Sequence, residues 1–88
     1  MLRLWGKIYK NSRVIQDLVY ENDSEDLTTG KKLKLGLYEL CMAFDLQMPM
    51  WLESNTKELK KFKLTSFRKE HFIEEIDFDC FEIEIIEE

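Results

Sequence analysis

The final fifteen residues of this chain, Glu74 to Glu88, carry eight acidic side chains and no basic one, yet their apolar residues alternate: Ile76, Phe78 and Cys80, then Phe81, Ile83 and Ile85. Period-two alternation turns one face of a strand toward a core and the other toward water. A solvated acidic tail, poor in aromatic and β-branched residues, lacks that pattern. The segment is therefore predicted to be a strand. The adjacent apolar pair Cys80-Phe81 shifts the alternation by one residue, which requires a bulge, a bend or a turn into the strand proper at that point.

Such a strand needs neighbours, and the N-terminus supplies them. Leu2 to Lys10 and Arg13 to Glu21 are rich in Leu, Ile, Val, Trp and Tyr and are separated by Asn11-Ser12, which reads as a β-hairpin. Asn tolerates positive φ at the first turn position, while Ser fits the second less well than Gly. A two-residue turn pairs Ile8 with Ile15, Leu4 with Val19 and Gly6 with Asp17 on one face. It pairs Tyr9 with Val14, Trp5 with Leu18 and Arg3 with Tyr20 on the other. Both faces are then substantially apolar, and one helix covers only one of them. The residues left for a partner are Trp5, Tyr9, Val14, Leu18 and Tyr20, a candidate interaction surface for a homodimer or another protein.

Beyond the polar connection Glu21 to Asp26, a stripe of Leu33, Leu37, Leu40, Cys41 and Phe44 recurs at helical spacing. It predicts the main helix near residues 29 to 46, capped by Thr28 or Thr29 and ended by Pro49. Gly36 lies inside it, at a cost of about 1 kcal/mol relative to Ala, which fits a close approach to the sheet. Met50-Trp51-Leu52 reads as a short extended segment whose Trp plugs one end of the core. Asn55 with Glu58 has the form of an N-cap and its third helical residue, predicting a helix of two turns. Residues 62 to 75 stay open between strand, loop and a further helical turn. The expected fold is α+β: a small antiparallel sheet, made of the hairpin and the C-terminal strand, packed against one main helix with one or two short extra helices. The whole chain, residues 1–88, is expected to form a single domain.

Charge supports the same arrangement. Residues 74 to 88 contribute −8 to a net charge of −5, so the preceding 73 residues carry +3. The acidic strand belongs beside basic neighbours, with Arg3, Lys7 and the cluster Lys57 to Lys69 as its counterparts. No apolar run approaches the roughly 18 residues that span a bilayer, and charges interrupt Met1 to Lys7 too often for a signal sequence. No membrane association and a cytoplasmic location are therefore expected. Cys41 and Cys80 are too few and too far apart for a disulfide scaffold or a zinc site and read as two buried reduced thiols.

Chemical motifs are sparse. Neither a GxGxxG nor a GxxxxGK[ST] phosphate loop exists, no cofactor is implied, and the strand-spaced carboxylates Asp77, Asp79, Glu82 and Glu84 lack the organisation of a metal loop. His71, the single histidine, is the one general-base candidate, with Glu74 or Glu75 to orient it. A lone His reads more readily as a locally hydrogen-bonded side chain, so an enzyme is the less favoured reading. Lys57, Lys60, Lys61, Lys63, Arg68 and Lys69, interleaved with Phe62 and Phe67, have the form of a single-stranded nucleic-acid surface. The acidic balance of the chain argues against that use. A non-enzymatic protein-interaction or assembly module is the favoured reading.

The segments Leu4-Trp5-Gly6-Lys7-Ile8, Pro49-Met50-Trp51-Leu52 and His71-Phe72-Ile73-Glu74-Glu75-Ile76-Asp77-Phe78-Asp79 together resemble a group of short uncharacterised bacterial proteins of about this length. The resemblance implies a self-contained small domain and brings no activity or site residue with it.

Overall fold

Residues 1–88 are described by a computed structural model. Strands β1 (Leu2–Lys10) and β2 (Arg13–Asn22) are followed by helix α1 (Thr29–Ala43), helix α2 (Glu53–Phe62), strand β3 (Leu64–Phe67), a 3-10 turn at Lys69–His71 and strand β4 (Cys80–Glu87). The fold is α+β, with a four-stranded sheet in the order β2-β1-β4-β3, antiparallel throughout.

The hairpin forms as its sequence predicts, with Asn11 and Ser12 both at positive φ, as a tight two-residue turn of this hand requires. Its register does not follow the simple pairing. Tyr9 pairs with Val14, but Ile8 pairs with Gln16, Gly6 with Leu18, Trp5 with Val19 and Leu4 with Tyr20, so Ile15 is an extra residue in a bulge. The bulge moves every later β2 side chain to the other face. Unbulged pairing would have set the Asp17 carboxylate on the core side of the sheet. With the bulge it lies on the opposite side, 2.9 Å from the Trp5 indole N–H that it accepts from.

The acidic strand begins at Cys80, and bends at residues 73–74 and 77–79 precede it, as the phase shift in the alternation requires. Ile76 and Phe78 are thus not in line with Ile83 and Ile85, although all four pack on the core. β4 lies between β1 and β3, with Ile83 opposite Gly6 and Thr65. The open stretch after residue 62 resolves into β3 and the 3-10 turn.

The core gathers Leu4 and Ile8 of β1, Leu37, Leu40 and Cys41 of α1, Phe67 of β3, Phe72, and Phe81 and Ile83 of β4. The helical stripe read from sequence holds, with Leu33 and Phe44 at its partly buried ends. Gly36 and Gly6 have no room for a side chain: a Cβ on Gly36 would lie 2.7 Å from the Tyr20 ring, and one on Gly6 would lie 2.9 Å from the Leu40 side chain. Of the two free cysteines Cys41 is buried, which raises its thiol to about 11 and keeps it protonated, while Cys80, at the start of β4, is only partly buried.

Three local expectations change. α1 ends well before Pro49: the Leu46 N–H donates to the Cys41 carbonyl and the Asp45 N–H to the Met42 carbonyl, with Asp45 in the left-handed region. This is the Schellman closure, here with Asp in place of the usual Gly. α2 starts earlier than expected, and Asn55 is its third residue, accepting from the Leu52 N–H and donating to the Thr65 hydroxyl and the Ser66 carbonyl. Asn55 is fully buried because it ties α2 to β3. Trp51 is no buried plug. It remains 42% exposed, lies 5.7 Å from the Phe67 ring and donates to the Thr56 hydroxyl.

Candidate interaction surface

Strand alternation separates two sheet faces of different chemistry. The residues that meet α1 and α2, namely Leu4, Gly6, Tyr20 and Thr65, belong to one face. The other carries Arg3, Trp5, Lys7 and Tyr9 of β1, Asp17, Val19 and Glu21 of β2, and Glu82 and Glu84 of β4. Of the sequence-predicted surface, Trp5, Tyr9 and Val14 lie on this second face. Leu18 and Tyr20 lie on the helix side, since the Ile15 bulge has turned them over. Tyr20 is half-buried against the core, and Leu18 is exposed.

At the centre of the second face, Lys7 is buried to 6% exposure. Its Nζ donates to Glu84 Oε1 at 2.9 Å, lies 3.7 Å from Glu82 Oε2 and sits 3.9 Å above the Trp5 ring. Burial by itself lowers an ammonium pKa. Here the Glu84 hydrogen bond and the charges of Glu82 and Glu84 outweigh it and hold Lys7 above its ordinary value. Tyr9 is also raised, by burial first and then by Glu82. Arg3 pairs with Glu21 and Glu87 along the same face. The acids of the terminal strand thus answer Arg3 and Lys7, as their alternation with the basic β1 residues suggests, and Lys63 answers Glu88. Both cations of this face, Arg3 and Lys7, are each held by two carboxylates.

The sheet edge is different. β2 has β1 on one side only, so the outward backbone groups of a ten-residue strand have no partner in the fold. Val14, Ile15, Leu18 and Val19 are all exposed along it. Exposed apolar side chains stand on both faces of this edge beside Gln16, Asp17 and Glu21, and it contains no Lys or Pro, two of the residues that blunt such edges.

The basic segment is dispersed into local contacts. Lys57 pairs with Glu53, Lys61 lies over the Phe62 ring and Lys63 pairs with Glu88. Phe67 is fully buried in the core, which leaves Phe62 as the exposed aromatic of the pair. Lys60 stands on α2, while Arg68 precedes the 3-10 turn and Lys69 opens it. His71 is buried; its Nδ1 accepts from the Arg68 N–H at 3.0 Å, which places its proton on Nε2, and Nε2 has no hydrogen-bond partner. Its ring meets Phe67 edge-on at 5.6 Å. The acidic strand brings no three potential metal ligands together.

No helix is long and apolar enough to cross a membrane. No protein-family model, curated protein or solved structure matches the chain.

Proposed function

We propose that this chain is a small non-enzymatic assembly module of the cytoplasm, built as a sheet with α1 as its main covering layer, and that its β2 edge pairs with the β2 edge of a second copy. The observation that carries this reading is the long, unpaired edge of β2 with Val14, Ile15, Leu18 and Val19 exposed along it. Antiparallel pairing about a two-fold axis satisfies the outward backbone groups of both copies at once.

Charge excludes two of the central registers. An axis through Asp17 opposes two copies of that acid, and an axis through Val19 sets Asp17 against Glu21. An axis through Leu18 sets Leu18 against its own copy, Asp17 against Val19 and Gln16 against Tyr20, with no acid facing an acid. The Leu18 register is the one proposed.

Sedimentation velocity across a concentration series tests the reading. A dimer is expected, and Leu18→Lys, which opposes two ammonium groups at the axis of an exposed position, dissociates it without unfolding the monomer. A strict monomer at high concentration refutes the assembly. A dimer that survives Leu18→Lys refutes the β2 edge as its seat.

A further inference from the structure

Between α1, α2 and the end of β4 lies a cavity of about 430 Å³, within the size range of small-molecule sites. Its floor is apolar: Leu33 and Leu37 of α1, Leu59 of α2, Ile85 of β4 and the Trp51 indole. Its rim is cationic, with Lys34, Lys60 and Lys63 set around it against a single acid, Glu88, which Lys63 already engages. Lys34 and Lys60 form no ion pair with any carboxylate of the chain. Thr29 and Gly30, in the first turn of α1, belong to the same rim, and that turn contains no acidic residue to offset the positive end of the helix.

The apolar floor thus lies beneath a locally positive rim, on a chain whose net charge is −5. This arrangement selects against polar anions, which gain nothing from the floor, and against amphipathic cations, which the rim repels. We propose that this cavity binds an amphipathic carboxylate, a saturated acyl chain of roughly eight to twelve carbons for a site of this volume. The alkyl body lies on Leu33, Leu37, Leu59 and Trp51, and the carboxylate meets Lys34 and Lys60. The site uses none of the β2 edge residues and stands independently of the assembly proposed above.

Trp51 in the cavity wall gives a direct readout. In a Trp5→Phe background, which leaves Trp51 as the single indole, decanoate is expected to change the fluorescence saturably, while acetate does not. Decyltrimethylammonium, with the same alkyl chain and the opposite charge, binds about tenfold or more weakly. Lys34→Glu and Lys60→Glu each weaken decanoate about fivefold, and the double variant reverses the preference between the two probes. Both lysines are exposed, so circular dichroism of these variants should match the parent. Equal affinity for the two probes, an unchanged preference in the double variant, or no saturable response to millimolar decanoate overturns the proposal.

Discussion

Gly36→Ala separates two opposing effects at one position. In an exposed helix interior the substitution gains about 1 kcal/mol, because Ala loses less backbone freedom on folding than Gly. Gly36 is instead buried, and the new methyl would lie 2.7 Å from Tyr20 Cδ2 and 3.0 Å from Leu4 Cδ2, inside the roughly 3.5–4.0 Å of an ordinary carbon contact. Neither neighbour yields easily: Leu4 is fully buried, and the Tyr20 hydroxyl accepts from the Asn22 side chain at 2.8 Å. Overpacking of a filled core costs about 1–3 kcal/mol, so a mid-range cost set against the propensity gain leaves a net loss of about 1 kcal/mol. With a urea m-value near 1 kcal/mol/M for so small a domain, the unfolding midpoint should fall by about 1 M. In a Tyr20→Ala background the ring is gone, the methyl enters open space on that side, and Gly36→Ala should become neutral or stabilising. A rise in midpoint for Gly36→Ala in the parent chain would refute the reasoning, since it would mean that α1 does not meet Tyr20 and Leu4 at this distance.

Lys7→Met keeps length and apolar contact but leaves Glu82 and Glu84 facing each other. The expected loss is about 2 kcal/mol at neutral pH, below the figure for a fully buried pair because Glu84 is one-third exposed. The folded-state pKa of Lys7 is raised, so its contribution is complete below the ordinary value of 10.5 and is lost as pH rises through the folded value. Parallel urea titrations should therefore show the parent's advantage over Lys7→Met shrinking above about pH 10.5; an advantage independent of pH would contradict the pairing. Ser12→Gly, at a turn position with φ of 64°, removes left-handed strain and should raise the thermal midpoint by the equivalent of about 1 kcal/mol.

The elements that local pattern determines were readable in the chain. Alternation located β1, β2 and β4, and the spacing of Leu33, Leu37, Leu40, Cys41 and Phe44 located α1 and its buried side. What could not be read depends on contacts between elements. The Ile15 bulge keeps Asp17 away from the helix side, a demand that exists only once the two faces are assigned. Asp45 closes α1 in a conformation that Gly normally supplies, so the helix ends with no Gly or Pro at the closing position. Asn55 looked like a cap because its spacing to Glu58 is right, yet its amide is used across the gap to Thr65 and Ser66. The β2 edge was visible only as excess apolar residues, and assigning them to a face required the bulge. The cavity beside Trp51 was not visible at all, since three separate segments build its floor.

Internal charge matching separates the surfaces that are already satisfied from those that are not. The face around Lys7 looks the most chemically distinctive part of the molecule, with a buried ammonium, an indole and two carboxylates, but the ammonium is already held by Glu82 and Glu84 and the indole N–H by Asp17. Arg3 and Lys63 are consumed in the same way by Glu21, Glu87 and Glu88. Once these pairs are set aside, two unmet demands coincide with exposed apolar surface. One is the row of outward backbone groups on β2, which another strand satisfies. The other is the pair Lys34 and Lys60 above an apolar floor, which an anion with an apolar body satisfies. A polar partner without a strand, or an anion without an alkyl chain, answers neither. Function is therefore sought at the edge of the sheet and between the helices, and not at the charged centre to which the acidic strand first draws attention.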